Sequence, residues 1–310
     1  MTGIFLLEQT LNGVQFGLML FLMASGLTLV FGIMDLINLA HGSLYMVGAY
    51  LVASVALASG AFGLALGVGV LATALLGWVL ERLLLRRFYA RDHLSQVLGT
   101  FAILLMANEL VRLVWGAQPL ELSPPPGLAG PVQLLPGLSY PAYRLFIMAV
   151  GVAVALLLYL LVAHTRLGMQ VRAGAANREM AQAMGVAVHR LFAGVFALGA
   201  ALCALAGGLL GPLLAVQVGM GEPILILAFV VIVIGGIGSV RGAFVGALLV
   251  GLVDTLGRVL LPEWGQQGLD GWLGAGNGRA VGSALAAMLI YLLMALVLIW
   301  RPQGLMARHG

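Results

Sequence analysis

The chain has 310 residues, of which 62% are apolar and only 8% are charged, whereas soluble domains carry about 25% charged residues. This composition excludes a water-soluble globular protein and favours a polytopic helical membrane protein, since one hydrophobic span takes roughly 20 residues. The net charge of +4 comes from arginine, because the sequence contains no lysine, and a nucleotide-binding Walker A loop is therefore excluded.

Nine apolar runs follow one another along the chain and predict membrane-spanning helices. They cover residues 13–33, 43–59, 62–80, 95–115, 144–163, 191–216, 224–240, 243–261 and 280–300. The runs are continuous, which excludes a membrane barrel, whose strands alternate polar and apolar residues. The sequence predicts an all-α polytopic membrane protein of eight or nine spans, eight if one run is a broken or re-entrant helix. We expect residues 1–310 to form a single transmembrane domain.

Arginine marks the segments between the runs that we expect in the cytoplasm. The arginine-rich segments are 81–93, 164–190 and 301–310. The proline-rich segment 116–143 and the segment 261–278 contain no basic residue, so both are predicted to be periplasmic. Nine spans then put the N-terminus in the periplasm and the C-terminus in the cytoplasm of a bacterial inner membrane. No basic residue precedes Arg82, so the first run is expected to be a retained span and not a signal peptide.

A polar break interrupts about 45 residues of otherwise apolar sequence. It consists of Asp35, Asn38, His41, Gly42 and Ser43. On a helix, Asp35, Asn38 and His41 would share one face. Polar groups within a membrane need partners or a water-filled cavity, so we predict that these five residues line or gate a translocation path. The alternative is an interfacial turn with Asn38 and Ser43 as helix caps. One histidine and one acid are too few ligands for a metal site.

Glycine-containing breaks occur in both halves of the chain, within 32–53 and 235–253. Paired interrupted helices are typical of transport proteins, so these segments are candidates for an internal repeat. Three pairs of glycines at spacing four also predict close helix packing: Gly63 and Gly67, Gly207 and Gly211, and Gly242 and Gly246.

The segment 164–190 contains an alanine-rich stretch that predicts a short helix ending near Gly185. Five residues would lie on or beside one face of it: Ala175, Arg178, Glu179, Gln182 and Ala183. Small side chains allow another surface to approach closely, and arginines can pair with acids of a partner. We therefore predict a docking helix for a cytosolic subunit. The alternatives are an amphipathic helix on anionic lipid or a solvated connector.

Other charged residues within the runs are predicted to pair locally, Glu109 with Arg112 and Asp254 with Arg258. The chain lacks both G-x-S-x-G and H-E-x-x-H strings, so we do not expect an enzyme. The pI of 9.6 reflects the arginine asymmetry of a membrane protein, and no nucleic-acid partner is expected.

Several segments resemble the permeases of ABC importers for branched-chain amino acids. They are GLTLVFGIMDLINLAHGSLYMVGAY (26–50), the segments 171–212 and 226–251, and RPQGL (301–305). Together they cover the chain almost end to end, in order. The resemblance implies a fold related to ribose-type and vitamin B12-type importer permeases. It also implies an ATP-driven importer subunit for branched-chain or related hydrophobic amino acids, working by alternating access.

The resemblance further implies the partners: a second permease subunit in a heterodimer, two cytosolic ATPases and a periplasmic substrate-binding protein. ATP and magnesium would bind to the ATPases, and no cofactor is expected in this chain. The 171–190 stretch would be the ATPase-coupling segment. The matching positions are Gly174, Asn177, Arg178, Ala183 and Gly185, and Arg172 and Glu179 complete the predicted coupling site.

Alternative functions remain open at this point. The family includes permeases for urea and short amides, which the quoted segments do not separate. A stand-alone carrier driven by an ion gradient would need a buried titratable group, for which Asp35 and His41 are the candidates. A membrane scaffold without transport activity is the third alternative.

Overall fold

The computed structural model describes residues 3–89, 91–273 and 276–306, without the side chains of residues 269 and 271–273. This part of the chain forms eleven α-helices and one β-hairpin. The helices are α1 Gly3–Met34, α2 His41–Ser59, α3 Phe62–Leu83, α4 His93–Trp115, α5 Ala142–His164, α6 Arg166–Ala176, α7 Arg178–Ala183, α8 Val188–Leu210, α9 Gly221–Gly235, α10 Val240–Leu273 and α11 Asn277–Trp300. The strands are β1 Pro131–Leu135 and β2 Leu138–Pro141.

Eight of the described helices are long and apolar enough to cross a membrane: α1 to α5, α8, α10 and α11. Each of the nine predicted runs corresponds to one helix. The remaining apolar helix, α9, has 15 residues and is about 22 Å long. It is shorter than a hydrocarbon core of roughly 30 Å. The predicted all-α membrane fold with eight or nine spans is confirmed.

Helix α1 forms the centre of the bundle. Its most apolar window is 83% buried, compared with 17% for α4 and α5. Glycines make this position possible, because Gly13 and Gly17 let the α1 backbone approach the backbone of α10 at Leu252 and Ala247. Helices α3, α4, α5 and α11 lie outside and expose apolar side chains, which suits contact with lipid.

Contacts between segments show which helix ends lie together at each end of the bundle. At one end, which we call the arginine-rich end because it carries the segments 81–93 and 164–190, Tyr89 contacts Arg178. At the same end the backbone of residues 305 and 306 bonds to Ile234 and Gly235. At the opposite end, Leu120 pairs with Val216, and Tyr140 donates a hydrogen bond to Asn12. Successive apolar helices therefore run alternately between the two ends. Arg308, in the predicted cytoplasmic tail, lies outside the described residues.

The two segments expected at the opposite end, 116–143 and 261–278, contain more regular structure than predicted. Strands β1 and β2 form a hairpin within 116–143, turning at Gly137, which has a φ of +89°. The helix α10 continues through Pro262 to Leu273, so the prediction that span 243–261 ends before this proline is wrong. Proline removes one helical hydrogen bond, but Gly282 lets α11 pack directly against the backbone at Leu261 and support the helix there.

The glycine pairs give a mixed outcome. A Cβ on Gly207, Gly242 or Gly246 would lie within 3 Å of the backbone of another segment, so close packing is confirmed there. Close packing was wrongly predicted for Gly63 and Gly67, because no described atom of a neighbouring segment lies within 4 Å of a Cβ at either. The two proposed repeat segments meet at the arginine-rich end, where Gly32 touches Gly238.

Candidate translocation path and coupling surface

The polar break begins where α1 ends. Asp35 has a φ of +51°, a left-handed conformation that aspartate tolerates and that ends the helix. Residues 35–40 are not helical, so the prediction that Asp35, Asn38 and His41 share one helix face is wrong. Asp35 is exposed at the arginine-rich end, whereas Asn38 and His41 are fully buried.

The residues after Asp35 turn back into the bundle as non-helical chain. Thr100 of α4 supports them: its hydroxyl accepts a hydrogen bond from the Leu39 N–H at 3.2 Å and donates to the Gln96 carbonyl at 2.8 Å. Non-helical backbone at membrane depth is tolerated only when protein or a cavity satisfies it. Thr100 does this for the break. No local pattern in the sequence indicates a contact across 61 residues.

His41 is the first residue of α2 and lies deep in the bundle. Its Nε2 is 3.2 Å from the Met23 carbonyl of α1 and 3.0 Å from the Cys203 sulfur of α8. Gly26 and Gly199 make room for the imidazole, since a Cβ on Gly26 would lie 3.1 Å from the ring. Met23 precedes the end of α1 by eleven residues, about 16 Å, so α2 begins near the middle of the bundle.

Helix α9 begins at the same depth, directly against α2. A Cβ on Gly221 would lie 2.0 Å from the Gly42 carbonyl oxygen. Conversely, a Cβ on Gly42 would lie 2.8 Å from the Gly221 carbonyl oxygen. The Gly219 N–H also lies 3.3 Å from the Met46 sulfur of α2. Two interrupted helices therefore meet with their N-terminal ends in the middle of the molecule. We refer to the close contact between Gly42 and Gly221 as the constriction.

Several buried polar atoms near this constriction have no hydrogen-bond partner within the described part of the chain. They are the Asn38 amide, the His41 Nδ1 and the hydroxyls of Thr28, Ser43 and Tyr45. Unpaired polar groups are costly in an apolar environment. The N-cap of α2 is Ala40, without a side-chain bond, so Asn38 and Ser43 do not act as the caps that the interfacial-turn alternative requires. The structure thus brings Asn38, His41, Gly42 and Ser43 together and leaves Asp35 apart.

The predicted coupling helix is split in two. Asn177 lies between α6 and α7, and its side-chain oxygen accepts a hydrogen bond from the Met180 N–H at 2.9 Å. An asparagine cap of this kind starts a new helix, so the prediction of one continuous helix is wrong. Gly185, with a φ of +86°, follows α7 and donates to the Gln182 carbonyl, which confirms the predicted end.

The predicted coupling residues do not share one surface. Glu179, Ala183 and Gly185 are exposed at the arginine-rich end beside two residues that the sequence analysis missed, Met180 and Met184, whose exposures are 61% and 79%. We call these five residues the docking face. Asn177 is exposed next to it, and Gly174 is buried.

The two predicted coupling arginines turn back toward the bundle. The Arg178 guanidinium lies 4.5 Å from the Phe192 ring centre and 5.4 Å from that of Tyr89. Arg172 donates a hydrogen bond to the Val162 carbonyl at the end of α5. Neither guanidinium belongs to the docking face, so these arginines anchor the segment to the membrane helices.

Tyr89 connects the coupling segment to the rest of the arginine-rich end. Its hydroxyl donates to the buried Glu81 carboxylate at 2.7 Å, and its ring packs edge-on against Phe192. Burial raises the pKa of Tyr89, and the bond to Glu81 raises it further, so the hydroxyl stays protonated. The same loop is tied to α4, where the Gln96 amide donates to the Phe88 carbonyl at 3.3 Å. Thr100 lies one turn further along α4.

The charged pairs within the spans are confirmed. Arg112 lies 3.4 Å from Glu109, and Arg258 lies 2.9 Å from Asp254. Among the described residues, no three histidine, cysteine or acidic side chains lie close enough to hold a metal ion.

Comparison with known proteins gives one family and several relatives. The family model of the branched-chain amino acid transport system permease component matches residues 9–298. BraD of Pseudomonas aeruginosa, a high-affinity branched-chain amino acid transport system permease protein, is 29% identical over 97% of this chain and 96% of its own length. The corresponding protein LivH of Escherichia coli K12 is 30% identical over 83% of this chain and 88% of its own.

A relative that aligns with a smaller share of the chain is named for another solute. The fructose import permease protein FrcC of Rhizobium meliloti is 31% identical over 64% of this chain and 56% of its own length. No solved structure matches the chain.

Proposed function

The chain belongs to the branched-chain amino acid transport system permease family, and on this basis we propose that it is the membrane-spanning permease subunit of an ATP-driven importer for branched-chain amino acids. The observation that carries the proposal is the family match over residues 9–298, which includes all eight candidate spans except the ends of the first and last. The alignments with BraD and LivH, both named for branched-chain amino acids, cover most of the length of those proteins.

The importer needs further subunits. We propose a second permease, two cytosolic ATPases and a periplasmic substrate-binding protein. The absence of lysine supports this division, because a P-loop uses a lysine at the β- and γ-phosphates. Nucleotide and magnesium then bind to the ATPases, and this chain works without a cofactor of its own.

The distribution of arginine supports the orientation in the bacterial inner membrane. The segments 81–93 and 164–190 lie at one end of the bundle, and the arginine-free segment 116–143 lies at the other. By the positive-inside rule, the arginine-rich end and the C-terminus are cytoplasmic, and the N-terminus is periplasmic.

Coupling to ATP is assigned to the docking face. Helix α7 has only six residues, and its cap at Asn177 and its glycine end at Gly185 hold it as a small rigid projection. Two exposed methionines give the projection an adaptable apolar surface, which suits a groove on an ATPase. Movement of α7 reaches the bundle through Arg178, which contacts the rings of Tyr89 and Phe192.

The translocation path is assigned to the break and the constriction. The close backbone contact between Gly42 and Gly221 supports a path that is closed in the middle of the bundle. We propose that α2 and α9 separate during transport, so that Asn38 and Ser43 then face water and substrate. Their unpaired polar atoms support this role, because an open path would hydrate them.

The test is transport by the purified complex in vesicles, with labelled leucine and the co-expressed binding protein. We expect uptake that requires ATP and stops when the P-loop lysine of the partner ATPases is replaced, and we expect excess isoleucine, but not urea or acetamide, to compete. Uptake by this chain alone, without ATP and abolished by an ionophore, would contradict the proposal. It would favour a gradient-driven carrier in which His41 is the buried titratable group, with His41→Gln as the next variant.

A further inference from the structure

A cavity of about 660 Å³ opens at the arginine-rich end between α1, α5, α6 and α10. Its volume is in the range of about 300–1,000 Å³ that is typical of small-molecule sites. Most of its wall is apolar and includes Phe21, Leu29, Ile33, Ala155, Phe244 and Val245. Along α1 the wall runs from Phe21 to Ile33, about 18 Å, from the middle of the bundle to its arginine-rich end.

Two guanidinium groups line this cavity. Arg172 of α6 donates to the Val162 carbonyl, and Arg241 of α10 lies 5.1 Å from the Tyr159 ring centre, with its nitrogen 3.5 Å from the hydroxyl. Within the described part of the chain, no carboxylate lies within 4.0 Å of either arginine. No acidic residue lines the cavity. The cavity therefore carries two positive charges that no carboxylate of the described residues neutralises.

We propose that the cavity binds an anionic phospholipid of the cytoplasmic leaflet. One acyl chain lies along α1 toward Phe21, and the phosphate lies between Arg172 and Arg241. Guanidinium groups match phosphate oxygens in geometry and charge, and basic pockets between helices on the cytoplasmic side bind anionic headgroups. Thr28, whose buried hydroxyl has no partner in the described residues, also lines the wall. The proposal rests on the orientation given under the proposed function.

A lipid bound at this site would also affect the segment that couples the chain to the ATPases. Arg172 belongs to α6, which leads through Asn177 directly into the docking face, whereas Arg241 belongs to the first turn of α10. A phosphate bound to both arginines fixes the coupling segment against a membrane helix. Anionic lipid then stabilises the arrangement in which α7 is held against the bundle.

The test uses the full complex reconstituted into nanodiscs that contain phosphatidylglycerol and phosphatidylcholine in known ratios. Native mass spectrometry after mild delipidation measures the lipid retained on this chain. We expect selective retention of phosphatidylglycerol. Its retention should fall about fivefold for each of Arg172→Gln and Arg241→Gln, and about thirtyfold for the double variant. The double variant Arg86→Gln/Arg87→Gln is the matched control, because it removes two exposed arginines of the same end that do not line the cavity.

A second variant separates a lipid from a free phosphate. Ala155→Phe fills the apolar wall and leaves both arginines in place, so it should lower phosphatidylglycerol retention and leave binding of inorganic phosphate unchanged. Equal retention of the two lipids, or unchanged retention in the double variant at 172 and 241, would overturn the lipid site. Retention does not require transport, so ATP-driven uptake without lipid selectivity would leave the proposed function intact.

Discussion

The break at residues 35–40 and the break at Asn177 interrupt helices in opposite environments and are stabilised in opposite ways. Asn177 uses its own side chain to cap the next helix, and Gly185 ends that helix locally. The break after α1 has no such local cap and depends on Thr100, 61 residues further along the chain. Outside the membrane, water satisfies whatever a cap leaves open. Inside it, another helix has to supply the missing partner.

We expect the largest effect from a substitution that disrupts the contact between α2 and α9 and leaves the coupling segment unchanged. In Gly221→Val, a Cβ would lie 2.0 Å from the Gly42 carbonyl, so α2 and α9 cannot keep their contact. We expect leucine uptake to be abolished and stability to fall by about 1–3 kcal/mol. Uptake and thermal unfolding measure this. The control is Gly63→Ala on α3, where no described atom of a neighbouring segment lies within 4 Å of the added carbon. Normal uptake by Gly221→Val would refute the constriction.

We expect the next largest effect from a variant that changes the docking face and leaves the membrane helices unchanged. The double variant Met180→Glu/Met184→Glu puts two charges on the docking face without touching the bundle. Because hot-spot residues contribute about 2 kcal/mol or more to an interface, we expect ATPase binding to weaken by thirtyfold or more and uptake to fall with it. Co-purification and leucine uptake are the measurements. The control is Met169→Glu on α6, an exposed methionine outside the docking face, and this variant should bind ATPase normally.

A smaller effect sharpens the difference between the two kinds of break. Thr100→Val removes the acceptor of the partly buried Leu39 N–H. We expect it to lower stability by about 1–3 kcal/mol and to reduce uptake. Asn177→Ala removes a cap that water can replace in part and should cost about 0.5–2 kcal/mol. Chemical unfolding in detergent compares them. If Asn177→Ala proved the more destabilising of the two, the distinction drawn above would not hold.

We expect the smallest effect from low pH, which weakens the helix cap at Asp92. Asp92 caps α4 through the N–H and hydroxyl of Ser95, and these bonds lower the pKa of its carboxyl. A lowered pKa in the folded state means that the stabilisation is present above the unfolded pKa and is lost as the pH falls through the folded one. The melting temperature of the wild type should therefore approach that of Asp92→Asn between pH 5 and pH 3. A constant difference over this range would show that the cap does not depend on ionisation.

The sequence predicted the features that depend on local chemistry. The nine apolar runs, the end of α7 at Gly185 and the pairs Glu109–Arg112 and Asp254–Arg258 were found because each follows from spacing within one segment. It did not predict the left-handed turn at Asp35, which moves this acid away from Asn38 and His41. Nor did it indicate that Arg178 turns onto Tyr89 and Phe192, because both rings belong to other segments of the chain and their approach depends on how the helices pack.

Cys203 is the single thiol of the chain, and it lies buried against His41 beside the constriction. If α2 and α9 part during transport, this sulfur becomes reachable for a membrane-permeant maleimide only while they are apart. The rate of alkylation would then count the openings of the path, with and without ATP, in the unmodified protein. Alkylation of Cys203 would therefore report opening of the path without an engineered label.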